Sequence, residues 1–431
     1  MTLDPQPAPA LSASQRRCHV LLMLYAPLTA VQLEIISEIN RVDLRTTWDD
    51  LAEVTCEIQR IHRLDVLQYS EKECRIQGDT LAQRLCLFQG LRRTLRISPD
   101  FVPRHFLPWL HIAFEGQPCP KVVLRTDILG VMIEDCASLL PKGLSEHDCQ
   151  LIRICLQYCL WQNGAWQSAP SGGIRFTEQQ RRWLREKAEY PAARTLFTQL
   201  QTLSHGLMDD SECEFFTLML RMLKTHTYQS SGSTEDQRLL LQIENLVARF
   251  QDVAGMKFSS YEGLVGQLFA HLGPAIERCH FGIGIDNLMQ EEVNRMYPRL
   301  VRTTREALEG FEQEYLIALS EDEIGLVAIT FGAWLMQGNA LQEKQILLLT
   351  HNNPELEEAV EQQIREATLL PLNIKYQTLT DFYKFGAPSG VAMIVTPYAT
   401  RSTDADPLVI HTQLPLAKEQ RKRIRSLLEA P

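Results

Sequence analysis

Histidine and cysteine offer the most chemistry near neutral pH, the first as nucleophile, proton carrier and ligand, the second as thiolate. Eleven cysteines lie at positions 18, 56, 74, 86, 119, 136, 149, 155, 159, 213 and 279 of this 431-residue chain. None form a Cys-x-x-Cys pair and no Cys/His run has zinc spacing, so the expected state is a reduced, mostly buried thiol. Cys155 and Cys159 stand one helical turn apart beside Leu156, Leu160 and Trp161, which directs both into a core. His271 sits in the helical setting Phe269-Ala270-His271-Leu272. His280 is near it in sequence but off its helix face, and packing is its default role. The segment Thr350-His351-Asn352-Asn353-Pro354 follows an apolar strand, where α/β folds place ligands or chemistry, although a solvent-facing loop is the commoner role for such a histidine. Gly282-Ile283-Gly284 is too short to signal a phosphate loop. With no nucleophile–base set and no metal cluster, the chain is not expected to be an enzyme, and no cofactor is implied.

Several domains must position these residues, since the length gives a prior of two to four. A formal net charge of −10, with 45% hydrophobic and 22% charged residues, argues against disorder, a membrane span or a nucleic-acid coat. DNA binding survives as a local property. Arg16-Arg17 followed by Val20–Ala26 imitates an export signal with Leu28-Thr29-Ala30 as its cleavage site. The apolar run is short, breaks at Pro27, and reads equally well as a buried first helix. Nothing else approaches the ~18 apolar residues of a membrane helix. The odd cysteine count and the lack of a convincing export signal favour the cytoplasm.

Helices are expected over 15–25 and around Leu33, Ile36 and Ile39. Leu51, Val54, Ile58 and Ile61 then share one face of a third helix that begins near Thr46 or Thr47. Strands over 64–68 and 74–77 flank the polar turn Ser70-Glu71-Lys72. Three helices and a hairpin make a winged helix-turn-helix, which places its third helix in a DNA major groove; a small helical domain that touches no DNA has the same outline. Between residues 11 and 110 there are 13 Lys/Arg and 12 Asp/Glu, so the region is near neutral. Asp43, Asp49, Asp50, Glu53 and Glu57 crowd the third helix, with Arg45 the nearby cation. Phosphates repel that face, and DNA would be held weakly or through another surface, with Arg16 and Arg17 as its cations.

Residues 121–340 read as helix and contain a repeat. Tyr190-Pro191 leads to Glu212 and the apolar run 215–220; Tyr297-Pro298 leads to Glu323 and the run 326–331. The copies lie 107 residues apart at the tyrosine and 111 at the glutamate, too far for a solenoid, so whole domains are duplicated. The stretch Gln229–Thr234 is the clearest boundary. Beyond it, apolar strands at 346–349, 372–376, 391–395 and 408–411 alternate with an acidic helix over 355–366 and a basic one over 416–428. This is the pattern of a small α/β domain on a parallel sheet.

Residues 264–336 carry His271-Leu272, Arg278, Phe281-Gly282-Ile283, Ile285, Asn287, Tyr297-Pro298, Asp322-Glu323, Gly325 and Phe331-Gly332-Ala333. This is similar to the second phosphotransferase-system regulation domain (PRD) of bacterial transcriptional activators and antiterminators, and the whole chain resembles the mannitol-operon type of activator. The resemblance implies a mainly α, multidomain protein. Its parts are a winged helix-turn-helix over 12–98, a degenerate first PRD over 120–228, a second PRD over 234–341, and an α/β domain over 343–430 that resembles a IIB phosphocarrier.

The resemblance also implies roles. Two histidines of each PRD take phosphoryl groups in that family, as imidazole nitrogens do readily. The four positions here are Cys155, Met219, His271 and Thr330, so one histidine remains. The IIB cysteine position is Thr350, and no glycine follows to open a phosphate nest. The implied partners are a second copy of the chain through the PRDs, the phosphocarrier protein of the phosphotransferase system, and DNA. The leading expectation is a transcriptional regulator controlled at most through His271. The alternative is an interaction scaffold without DNA binding or phosphoryl transfer. Antiterminator-like RNA binding fits less well, because it needs a β-rich head.

Overall fold

A computed structural model of the chain describes residues 10–27, 31–68, 73–115, 126–166, 173–205, 208–224, 232–285, 287, 289–337, 343–351, 353–401 and 407–428. The protein is mainly helical, with a three-stranded antiparallel sheet near its start and a four-stranded parallel sheet near its end. No described helix is long and apolar enough to cross a membrane. Two compact units are formed: Met1–Lys224 with His280–Asp286, and Thr225–Cys279 with Asn287–Pro431.

The first unit begins with α1 (Ala13–Leu24), β1 (Val31–Gln32), α2 (Leu33–Asn40), α3 (Leu44–His62), β2 (Asp65–Gln68), β3 (Glu73–Gln77) and α4 (Thr80–Ile97). Side chains decide where these helices start. Ser12 and Gln15 form a capping box on α1. Asp43 accepts from the Thr46 backbone N–H at 2.6 Å and opens α3 earlier than the apolar spacing alone implies. Arg41 and Arg63, both left-handed, end α2 and α3. Leu51, Val54 and Ile58 are buried on one α3 face as their spacing requires, and Ile61 packs at its margin. The hairpin β2–β3 pairs Val66 with Ile76, and β1 joins its other edge to give the order β1-β3-β2. The sequence did not signal β1, because two residues carry no periodicity. The turn expected at Ser70-Glu71-Lys72 lies outside the described residues.

Next come α5 (Leu107–Glu115), α6 (Thr126–Ser138), α7 (Glu146–Trp166), α8 (Glu178–Arg185), α9 (Tyr190–Leu203) and α10 (Ser211–Leu223). One continuous apolar core runs from Val20 through Phe88 and Leu156 to Phe216. The module expected at 12–98 and the bundle expected at 120–228 therefore share an interior. Residues 280–286 close on the same unit: Phe281 meets Phe176 and Trp183 edge-on, and the Gly284 N–H donates to the Ile61 carbonyl at 2.6 Å. A Cβ on Gly284 would sit 2.8 Å from the Arg60 carbonyl oxygen and 3.0 Å from the Ile61 Cα. Because both neighbours are backbone, Gly284→Ala should destabilise this unit by about 1–3 kcal/mol in chemical denaturation. An unchanged midpoint would remove this explanation of the glycine.

The second unit contains α11 (Thr234–Ala254), α12 (Tyr261–Phe281, whose last two residues belong to the first unit), α13 (Gln290–Met296), α14 (Pro298–Tyr315) and α15 (Glu321–Gln337). Pro298 starts α14 where its missing N–H costs nothing. Phe250 and Phe331 stack at 4.0 Å in the bundle core, beside Phe258. The chain continues through β4 (Lys344–Thr350), α16 (Pro354–Ala367), β5 (Leu372–Thr378), α17 (Leu379–Phe385), β6 (Met393–Thr396), β7 (Val409–His411) and α18 (Lys418–Leu428). The strands are parallel in the order β5-β4-β6-β7, and Ile346–Leu349 of the central β4 are buried, as the apolar runs required.

Candidate functional site

α12 carries His271 and Arg278 two turns apart, hence on one face, and α15 brings Glu323 to them in its first turn. The Glu323 N–H donates to the Ser320 hydroxyl at the start of that helix. Asn287 donates to the Asp322 carbonyl at 3.0 Å, and any side chain on Gly325 would crowd its amide. These contacts explain the spacing from Asn287 to Gly325 in the motif. His271 Nε2 lies 3.0 Å from Glu323 Oε2, and Arg278 Nε donates to Glu323 Oε1 at 2.6 Å. The His271–Glu323 contact is close, with an angle outside strict hydrogen-bond alignment. His271 Nε2, Glu323 Oε2 and Arg278 Nη2 are all buried atoms without an aligned partner among the described residues.

Burial works to raise the Glu323 carboxyl pKa, but its contacts with His271 and Arg278 outweigh that and hold it below the ordinary carboxylate value. The unfolded chain therefore binds the proton first. Stability from this carboxylate is fully present above pH 4.5 and is lost as pH falls through the lower folded-state value. Glu323→Gln should flatten the acid limb of the second unit's stability curve, and an unchanged limb would sink that assignment.

Thr330 lies two turns beyond Glu323 on α15, buried, with its hydroxyl donating to the Leu326 carbonyl at 2.9 Å. The hydroxyl is engaged by its own helix. In the first copy Cys155 is buried on α7 and its thiol is pushed well above the ordinary value by burial, while Met219 is buried on α10. Glu212 opens α10 as Glu323 opens α15, but its cation comes from outside the repeat. Arg84 of α4 reaches Glu212 at 2.5 Å, with both side chains about 1% exposed. Gln162, which stands to Cys155 as Arg278 does to His271, accepts from Arg84, and Asn163 donates to Glu212. No spacing or motif in the sequence pointed to the pairing of Arg84 with Glu212, since the two lie 128 residues apart.

Thr350 ends β4, and the next loop already holds an anion. The His351 N–H donates to Glu357 Oε1 at 2.7 Å and the Tyr398 hydroxyl donates to the same oxygen at 3.0 Å. The His351 ring stands edge-on to Tyr398 at 5.6 Å. Asn352 lies outside the described residues. His280 packs 4.8 Å from the Trp183 ring, and burial, with Lys187 and Arg221 nearby, lowers its pKa. Packing is thus its role. Arg16 Nε meets Asp50 at 2.7 Å, Arg17 meets Asp50 and Glu53, and Arg93 meets Glu57. Arg45 is exposed on α3.

Residues 244–334, which hold His271, Arg278 and Glu323, match the PRD domain family, so the second bundle is a PRD domain. Residues 344–428 match the C-terminal domain of stationary phase-inducible protein CsiE. The CsiE protein of Escherichia coli (strain K12) is 39% identical over 426 residues, 98% of each chain, and the present chain belongs to the CsiE family. Transcriptional regulator ManR of Bacillus subtilis (strain 168) is 22% identical over 171 residues, 39% of this chain and 26% of that protein.

Proposed function

We propose that this protein is a PRD-containing transcriptional regulator linked to the sugar phosphotransferase system, with His271 as its one remaining phosphoryl acceptor. The observation that carries the reading is the polar setting of His271 against Glu323 and Arg278, while Cys155, Met219 and Thr330 occupy the other acceptor positions. The similarity to ManR, a protein named as a transcriptional regulator, supports the regulatory part. The order helix, short strand, helix, helix, hairpin and the three-residue turn between α2 and α3 support a winged helix-turn-helix. A four-stranded parallel sheet supports the IIB-like reading of the tail, with the Glu357 carboxylate in the loop in place of a phosphoryl group. The protein acts as a homodimer through its PRDs in the cytoplasm and catalyses no reaction of its own. Phosphorylation adds up to about two negative charges at His271 and shifts the contacts between protomers.

Phosphocarrier protein charged by its enzyme is expected to label the wild-type chain and to leave His271→Ala unlabelled. An unlabelled wild-type chain would remove the link.

One set of contacts favours a second reading, an interaction scaffold without DNA binding. Arg16 and Arg17 are ion-paired with carboxylates of α3, so two of the three cations expected to hold DNA already face acids, while Arg45 stays exposed on α3 itself. Electrophoretic shift at low and moderate salt separates the two readings. A regulator keeps a preferred sequence as salt rises; a scaffold shows none.

A further inference from the structure

We infer that Nδ1 of His271 is the nitrogen that takes the phosphoryl group, and that Glu323, held by Arg278, is the positioning residue that decides this. The inference rests on the reading of His271 as the acceptor. An imidazole has two nitrogens, and its neutral form carries a proton on one and a lone pair on the other. The surroundings choose between them. At 3.0 Å from Nε2, an ionised carboxylate attracts an N–H and repels a lone pair, so the proton sits on Nε2 and the lone pair on Nδ1. Accessibility points the same way. The His271 side chain is 20% exposed, yet Nε2 itself is buried against Glu323, so the exposed part of the ring lies away from that nitrogen. A donor protein has no route to Nε2 without displacing the carboxylate.

Glu323 is fixed for this task. Arg278 binds its other oxygen at 2.6 Å from the helix that carries His271, so α12 contacts both oxygens of the carboxylate. The first copy gives an internal contrast. There Cys155 replaces the histidine, and the matching Glu212 is neutralised by Arg84 and bonded by Asn163. Without an imidazole to orient, the carboxylate has become a packing element.

In the transfer, the Nδ1 lone pair of His271 attacks phosphorus, the N–P bond of the donor's phosphohistidine breaks, and that electron pair returns to the donor nitrogen. The Nε2 proton stays in place, and the partial positive charge that grows on the ring faces Glu323.

The test is the isomer formed on the intact chain, read by phosphorus NMR or isomer-specific antibodies after labelling with charged phosphocarrier protein and, separately, with phosphoramidate, whose ammonia leaves with the electron pair. Nδ1-phosphohistidine at residue 271 is expected from both donors. The Nε2 isomer from either donor overturns the inference and leaves His271 as acceptor. Label from phosphoramidate alone removes the phosphocarrier link, while the isomer still decides the inference. No label from either donor overturns both. Glu323→Gln should lower the labelling rate on the order of tenfold and yield mixed isomers; a slower reaction that still gives pure Nδ1 product would reduce Glu323 to a structural role. If that variant does not fold, the wild-type isomer remains the deciding measurement.

Discussion

Arg84→Met is expected to destabilise the first unit by about 3–5 kcal/mol, because removing one partner of a buried ion pair strands the other charge. The stranded group is Glu212, with about 1% of its side chain exposed at the start of α10. Water cannot reach it, and Asn163 offers it a dipole in place of a charge. The Arg84→Met/Glu212→Leu pair should recover part of the loss, since no charge is then buried alone. Recovery stays incomplete, because the Gln162 and Asn163 amides lose their partners at about 1–3 kcal/mol each. Denaturant titration of the four proteins measures the coupling. A loss below about 1 kcal/mol for the single variant would mean that the site relaxes enough to admit water, contrary to its packing.

Acid should destabilise the same unit well before carboxylates titrate. His62, at the end of α3, is buried, and burial lowers its pKa from 6.5 to about 4 despite a hydrogen bond with Gln89. The unfolded chain therefore takes up a proton that the folded chain refuses. Stability from the neutral ring is complete above pH 6.5, falls as pH drops, and levels near pH 4, where the folded form also protonates. Over that interval the loss is about 3 kcal/mol. His19 adds to it with the same sign: burial lowers its pKa as well, and its ring stacks on Phe101 at 3.8 Å. His62→Gln should make the fall between pH 6.5 and 4 shallower by up to about 1.4 kcal/mol per pH unit. An unchanged slope would show that the ring is charged in the native state.

Local information in the sequence reached as far as helices, strands and single motif residues. The α3 face of Leu51, Val54 and Ile58 followed from spacing, as did the parallel strands of the tail from their apolar runs. His271 was legible because its neighbours form a family pattern. What surrounds it was not, since the contact with Glu323 joins residues on α12 and α15 that no periodicity links. Arg84 is a clearer case: its partner lies 128 residues away, and nothing about an arginine in a helix announces a buried carboxylate. The acidic row on α3 was visible, but its pairing with Arg16, Arg17 and Arg93 came only from the packing of α1 and α4 on α3. The short helix α17 and strand β1 left no signal, being too brief to show a period.

Glu357 gives the tail a property that outlasts any signal. A phosphocarrier loop is negative only while charged and neutral again once the group has moved on. The loop after β4 holds the Glu357 carboxylate, a group of the chain itself, through the His351 N–H and the Tyr398 hydroxyl. On the IIB-like reading proposed above, the carboxylate stands where a transferred group would sit, and free phosphate is not expected to stabilise the loop by mass action. On the same reading, a partner at this loop would meet an anion built into the chain rather than one gained and lost by transfer.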